Sequence, residues 1–215
     1  MEINVVSSTL CLVGYFGNGK SSLVHSYINK LFSNNSESTI GMNYVNKTIY
    51  GENYCVNLNI WDTAGQERYA ALLPMYTRDV DVILCVIDPT NKENSIEYIK
   101  KNVKTLLEKR NENPPFSVHV VVTKIDSQKN ENYKEFGENV KNIVENYLFK
   151  LNNEFTNVSL FFTSSKNFFN VEQPFLHSLE RIYREKNKNV FINKQDPLLI
   201  KLKNKNESEN SRCYC

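Results

Sequence analysis

The chain has 215 residues, enough for one domain with a full hydrophobic core and a short tail. Its formal net charge of +2 is too mild to indicate binding to nucleic acid. The longest apolar run, near residues 82–87, is too short to cross a bilayer. The start, Met1-Glu2-Ile3, has neither a basic segment nor a glycine after the methionine, so we expect no secretory signal and no N-myristoylation.

Five cysteines show no spacing typical of a disulfide framework, so we expect a reducing cytosol. Three of them, Cys11, Cys55 and Cys85, lie in apolar runs and are predicted to be buried thiols. The other two, Cys213 and Cys215, lie at the end of the sequence.

Apolar, β-branched runs alternate with segments of helical periodicity along most of the chain. The runs predict strands at residues 9–13, 56–60, 80–87, 118–122 and 158–162. Helices are predicted at residues 22–31, 93–109, 132–155 and 175–183. This alternation predicts an α/β domain with a mainly parallel sheet. Residues 39–60 leave no room for a crossover helix, so a hairpin around residues 51–53 should add one antiparallel edge strand.

A phosphate-binding motif follows the first predicted strand and opens the first helix. It reads Gly14-Tyr15-Phe16-Gly17-Asn18-Gly19-Lys20-Ser21 and fits the pattern GxxxxGK[ST]. The glycines let backbone amides surround phosphate oxygens, and the helix N-terminus adds positive potential. Lys20 should reach the β- and γ-phosphates, Ser21 should ligate Mg²⁺, and Ser22 should lie beside them. Asp62, at the end of a strand, is placed to hold Mg²⁺ through water.

The string from Trp61 to Tyr69, WDTAGQERY, resembles the small GTPases and the Rab family in particular. Residues 38–44 are similar to the Rab effector loop, and residues 73–78 to the early-endosomal Rab subgroup. The resemblance covers about residues 8–186 and returns at the terminal Cys-x-Cys. It implies a G domain with a six-stranded sheet, helices on both faces, and GTP or GDP with Mg²⁺ as ligands.

The resemblance also implies individual roles. Thr39 would close on Mg²⁺ and the γ-phosphate, the Gly65 amide would sense that phosphate, and Gln66 would orient the attacking water. Phe32 would pack against guanine. Asp126 would select guanine by accepting hydrogen bonds from the N1 and the amino group of the base. The base would also meet Thr123, Lys124, Ser164, Ser165 and Lys166.

Three departures from the Rab pattern stand out. Thr123 replaces the usual asparagine, and we expect its shorter hydroxyl to bridge base and phosphate loop less well. Phe16 stands where the family has a small residue and should crowd Gln66 and an incoming arginine finger. The segment at residues 127–157 is longer than usual, with no function assigned to it.

We expect a G domain at residues 1–188 and a flexible tail at 189–215. The resemblance implies geranylgeranyl groups on Cys213 and Cys215, although an incidental, metal-binding or oxidation-prone thiol pair is the alternative. It further implies an exchange factor, a GTPase-activating protein, a GDP-dissociation inhibitor, a prenylation escort and effectors. We expect a monomer without nucleic-acid partners, in the cytosol and on the cytoplasmic face of endomembranes, endosomes above all.

Two other functions stay open. One is a nucleotide-binding scaffold that barely hydrolyses, which Phe16 and Thr123 favour and Gln66 opposes. The other is an unrelated P-loop ATPase or kinase, which Asp126 and the string from Asp62 to Gln66 oppose. Trp61 and Tyr76 are either core aromatics or part of an effector surface. His25, His119 and His177 lack ligand spacing and are predicted to be surface or core residues.

Overall fold

The computed structural model describes residues 4–34, 38–50, 54–73, 75, 80–108, 117–127, 132–151 and 158–186. Within these ranges the strands are β1 (Asn4–Val13), β2 (Met42–Tyr50), β3 (Tyr54–Thr63), β4 (Val82–Ile87), β5 (Ser117–Val122) and β6 (Val158–Phe162). The helices are α1 (Lys20–Asn29), α2 (Lys92–Glu108), α3 (Tyr133–Leu151) and α4 (Gln173–Lys186). A 3-10 helix spans Glu67–Leu72.

The strands form one six-stranded sheet in the order β2-β3-β1-β4-β5-β6. Only β2 runs antiparallel to its neighbour, with Met42 opposite Thr63 and Tyr50 opposite Cys55. The other four strand pairs are parallel. The predicted fold class is therefore confirmed, including the hairpin that adds one antiparallel edge strand.

Strand β1 is longer than its apolar run predicted. It begins at Asn4 rather than at residue 9, and its first half alternates exposed Val5 and Ser7 with buried Val6 and Ser8. Ser8 is buried because its hydroxyl donates a hydrogen bond of 2.9 Å to Asp81. A search for continuous apolar residues misses such a half-polar strand, which pairing with β3 nevertheless extends.

Hydrophobic side chains fill both faces of the sheet. Leu10 and Leu12 of β1 pack with α1 and α4 on one face, while Cys11 and Val13 pack with α2 and α3 on the other. The helices on both faces agree with the predicted architecture, and Cys11, Cys55 and Cys85 are buried as predicted. None of the helices in the described ranges is long and apolar enough to span a membrane.

The three histidines lie in different environments. His25 is exposed on α1, whereas His119 on β5 is fully buried, with its ring centroid 5.0 Å from that of His177 on α4. Burial above all, with the nearby His177 and Arg181, lowers the pKa of His119 to about 3. His119 is therefore a neutral core residue at physiological pH.

Candidate functional site

A cavity of about 540 Å³ lies where β1, β3 and β5 end and α1 begins. It brings together most of the residues that the sequence predicted for nucleotide binding. They are Gly17, Gly19, Lys20, Ser21, Ser22, Phe32, Thr39, Gly65, Thr123, Lys124, Asp126, Ser165 and Lys166. Asn18, Asp62, Gln66 and Ser164 are not part of this lining, and each has a distinct position described below.

Backbone geometry explains the glycines of the phosphate loop. Gly17 and Gly19 have φ angles of +76° and +84°, which side chains other than glycine rarely adopt. At Gly14 the constraint is space, because a Cβ would lie 2.2 Å from the carbonyl oxygen of Val86. These glycines therefore let the loop turn tightly before α1, where Gly17 and Gly19 line the cavity.

Lys20 lies beneath the phosphate loop with only 4% of its surface exposed. Its ammonium donates hydrogen bonds to the carbonyl oxygens of Gly14 at 2.8 Å and Tyr15 at 3.1 Å. Burial lowers the pKa of Lys20 to about 8, and the negative charge of Asp62 partly opposes that shift. The lysine is thus held in place as a cation that lacks a full counter-charge, which suits a phosphate ligand.

Three oxygen-bearing side chains meet beside Lys20. The hydroxyls of Ser21 and Thr39 lie 2.7 Å apart, although they come from α1 and from the loop before β2. Asp62 is 2% exposed, and its Oδ1 is buried without a hydrogen-bond partner. Burial raises the pKa of Asp62, while a hydrogen bond from Ser21 and the charge of Lys20 lower it. An unpartnered carboxylate oxygen beside two hydroxyls fits a hard divalent cation such as Mg²⁺.

The other end of the cavity is shaped by the loop after β5. Lys124 has a φ angle of +53°, and its ammonium reaches the carbonyl oxygen of Gly17 at 2.7 Å. The same ammonium forms a 2.6 Å ion pair with Asp88. Asp126 accepts a 2.5 Å hydrogen bond from the Ser164 hydroxyl. Ser164 therefore orients Asp126 rather than lining the cavity itself.

Thr123 is 2% exposed, and its hydroxyl lies 2.7 Å from the carbonyl oxygen of Asn18 and 3.1 Å from that of Ile87. The Thr123 hydroxyl was expected to be too short to connect the base with the phosphate loop. It nevertheless contacts the phosphate loop directly, which is one of the two contacts of that connection. Asn18 itself turns its side chain away from the cavity, and that side chain is 1% exposed.

Gly65 packs directly on the phosphate loop. Its carbonyl oxygen accepts a 3.1 Å hydrogen bond from the amide of Phe16. A Cβ at Gly65 would lie 2.4 Å from Gly14 O and from Phe16 N. Gln66, the predicted catalytic residue, does not line the cavity, because its Oε1 accepts a 2.7 Å hydrogen bond from Arg68.

Sequence reasoning missed some residues of this edge. Asp88 pairs with Lys124 and also accepts 2.8 Å and 2.7 Å hydrogen bonds from the amide and hydroxyl of Thr90. Its position offered a clue, because Asp88 directly follows buried β4 as Asp62 follows the apolar core of β3. Thr90, Ser127 and Ser38 also line the cavity.

A mainly parallel sheet whose glycine-rich loop opens a helix defines the class of P-loop nucleotide-binding proteins. The chain belongs to the Ras family, whose model matches residues 9–184. It is similar to Ras-related protein Rab5 of Nicotiana tabacum, at 42% identity over 110 residues, or 51% of this chain and 54% of that protein.

Two further relatives show the same level of similarity. Ras-related protein RABF2b of Arabidopsis thaliana is 42% identical over 108 residues, covering 50% of this chain and 54% of that protein. Ras-related protein Rab-22A of Homo sapiens is 42% identical over 106 residues, covering 49% of this chain and 53% of that protein. The chain thus spans about half the length of the curated relatives it matches. These similarities confirm the resemblance to the early-endosomal Rab subgroup.

Proposed function

We propose that the protein is a Rab-like molecular switch that binds GTP, hydrolyses it to GDP and phosphate, and regulates membrane trafficking. One observation carries this proposal: a single cavity joins the phosphate loop, the paired hydroxyls of Ser21 and Thr39, and the oriented carboxylate of Asp126. These groups match the phosphates, the metal and the base of one ligand.

The phosphate end supplies positive charge and oxygen ligands. Lys20 would neutralise the β- and γ-phosphates, while Ser21 and Thr39 would ligate Mg²⁺ directly and Asp62 through water. When bound, Mg²⁺ supplies charge neutralisation of the phosphate oxygens. The buried, unpartnered Oδ1 of Asp62 supports this assignment, because a buried carboxylate oxygen without a hydrogen bond is costly.

The switch would depend on two loops that meet at the phosphate site. Thr39 arrives from the loop before β2, and Gly65 from the segment after β3. Both contact parts of the phosphate-binding element, Thr39 through Ser21 and Gly65 through Phe16. A γ-phosphate would hold both loops closed, and its loss on hydrolysis would release them.

Base selection would rest on Asp126. Its Oδ1 is occupied by the Ser164 hydroxyl, which fixes the direction of the carboxylate. A fixed carboxylate accepts hydrogen bonds from the N1 and amino group of guanine, whereas adenine offers no such pair of donors. Phe32, which lines the cavity and is 39% exposed, would cover the base.

Two observations favour a second candidate, a protein that binds GTP but hydrolyses it very slowly. Phe16 is 44% exposed at the cavity, and the side chain of Gln66 is hydrogen-bonded to Arg68 outside it. Hydrolysis would then require Gln66 to leave Arg68 and enter a cavity that the Phe16 ring also lines. A scaffold that holds GTP for long periods is therefore the second candidate. Single-turnover hydrolysis decides, since a switch loses its GTP and Gln66→Leu abolishes that loss.

The cellular role follows from the similarity to Rab proteins. An exchange factor, a GTPase-activating protein and effectors would act on the surface around Tyr44 and Trp61, whose ring centroids lie 4.6 Å apart with Tyr44 49% exposed. A GDP-dissociation inhibitor and a prenylation escort would bind the lipidated protein. Cys213 and Cys215, which lie outside the described residues, would carry lipids that hold it on the cytoplasmic face of endosomal membranes.

Nucleotide competition tests the proposal. The full chain is loaded with a fluorescent GDP analogue, and GDP, GTP, ADP or ATP is added with Mg²⁺ or with EDTA. We expect displacement by GDP and GTP only, and faster release in EDTA. Ser21→Ala should remove most of the Mg²⁺ effect. Ser178→Ala, a buried serine on α4 far along the chain, is the matched control. Equal displacement by ADP would contradict a guanine site.

A further inference from the structure

A buried hydrogen-bond network connects the phosphate loop to helix α2. Asn18 is 1% exposed, and its side-chain amide donates to the carbonyl oxygen of Val86 at 3.0 Å and to the hydroxyl oxygen of Ser95 at 3.1 Å. Ser95 is fully buried near the start of α2, and its hydroxyl oxygen also accepts a 3.2 Å hydrogen bond from the amide of Asp88. A single residue of the loop thus contacts both β4 and α2.

The network leaves little conformational freedom. The side-chain amide of Asn18 has two donor hydrogens, and both have buried acceptors. On the backbone side, the carbonyl oxygen of Asn18 accepts the 2.7 Å hydrogen bond from Thr123. The residue is held from three directions, by β4, by α2 and by the loop after β5. A buried polar network whose members are all paired specifies one arrangement, because any other leaves a group unsatisfied.

A second contact joins the same two elements. Tyr15 of the phosphate loop meets Tyr98 of α2 edge to face, with ring centroids 6.3 Å apart. Ser95 and Tyr98 are three residues apart on the helix and therefore lie on one face. Two loop residues on either side of Gly17 thus rest on one face of α2.

From this geometry we infer that Asn18 and Ser95 are positioning residues, which hold the phosphate-loop amides against the nucleotide and so set its rate of release. The inference rests on the proposed nucleotide site but assigns a role to side chains that do not line it. Neither side chain would touch the ligand. They act through the backbone, because Asn18 lies between Gly17 and Gly19, two residues of high conformational freedom. Holding Asn18 in place therefore also restricts its two glycine neighbours.

The test measures release of a fluorescent GDP analogue from the full chain. Ser95→Ala removes a single oxygen and leaves a donor of Asn18 and the amide of Asp88 without an acceptor, so we expect release to accelerate about fivefold or more. Asn18→Ala should accelerate it at least as much. The double variant should not exceed the larger single effect by much, because both changes break one network.

The control is Ser178→Ala, which deletes another fully buried serine hydroxyl, one that donates to Pro174 O at 2.6 Å. It should leave release unchanged. Phosphorus-31 resonance adds a readout that general destabilisation does not move: the β-phosphate shift of bound GDP should change in Ser95→Ala but not in Ser178→Ala. Both results together would support the positioning role.

Release rates and phosphorus shifts of Ser95→Ala and Asn18→Ala equal to those of Ser178→Ala would overturn the inference while leaving the proposed function intact. Multiplicative effects in the double variant would also overturn it, because they would separate the two residues. Absence of GDP binding by the unaltered chain would overturn the proposed function, and the inference with it.

Discussion

We expect Gly65→Ala to weaken the binding of GTP much more than the binding of GDP. The added methyl would lie 2.4 Å from Gly14 O and Phe16 N, and 2.5 Å from the ammonium of Lys20. The first two are backbone atoms, so relief requires the segment after β3 to move away by about 1 Å. That movement breaks the 3.1 Å hydrogen bond from Phe16 to Gly65.

The magnitude follows from two losses. The broken backbone hydrogen bond costs about 1 kcal/mol, and a charge-assisted bond from the Gly65 amide to a γ-phosphate adds about 1.5–3 kcal/mol. We therefore expect the affinity for a non-hydrolysable GTP analogue to fall by roughly fiftyfold or more. GDP has no γ-phosphate and tolerates an open loop, so its affinity should stay within about threefold.

Equilibrium titration with fluorescent GDP and GTP analogues measures both affinities. Gly41→Ala is the control, because it adds the same methyl group at a position where a Cβ meets no atom within 4 Å, even though the φ of Gly41 is +69°. It should weaken neither nucleotide selectively. The reasoning is refuted if Gly65→Ala binds the GTP analogue as the unaltered chain does, or if it loses both nucleotides equally.

Asp126→Asn should shift preference from GTP toward xanthosine triphosphate, measured by competition, because the altered side chain then matches the altered base edge; unchanged guanine preference would contradict the assignment. Phe16→Ser should speed stimulated hydrolysis in single turnover by removing the ring at the cavity rim, and an unchanged rate would remove the steric argument. Replacing Cys213 and Cys215 with Ser should leave nucleotide binding intact and move the protein from membranes to the soluble fraction in cells; a variant that still pellets with membranes has its anchor elsewhere. In the folded protein His119 is neutral, because its pKa is lowered from 6.5 to about 3. In the unfolded chain it binds a proton below pH 6.5. The free energy of unfolding should therefore fall as the pH drops below 6.5, by roughly 2 kcal/mol at pH 5. Urea unfolding of His119→Phe should show a flatter pH dependence, and an equal slope would refute this.

The sheet was predictable wherever its strands are buried on both faces. β4 and β5 are buried throughout and stand out as continuous apolar runs. The hairpin of β2 and β3 was predictable from the lack of room for a crossover helix. The first half of β1 was not, because Ser8 needs Asp81 from a distant part of the chain to become a buried strand residue.

The site was predictable where its residues are contiguous in sequence. The phosphate motif names Lys20 and Ser21 directly, and the structure places both at the cavity. Pairings between distant residues are a different matter. Lys124 pairs with Asp88, and Asn18 with Ser95 across 77 positions. No local pattern specifies such pairs, because they depend on which strand ends become neighbours at the sheet edge.

Residues at the base end of the cavity contact the backbone of the phosphate loop. This contact changes the effect that we expect from threonine at position 123. Its hydroxyl contacts Asn18 O, while Lys124 contacts Gly17 O in the same loop. The base-binding segment thus holds the phosphate loop from one side, as Ser95 does from the other. In the proposed site, selectivity for guanine would lie instead in the carboxylate of Asp126. A change at Thr123 should therefore alter how long any guanine nucleotide stays bound more than which base is chosen, because its contacts are to the loop that carries the phosphates.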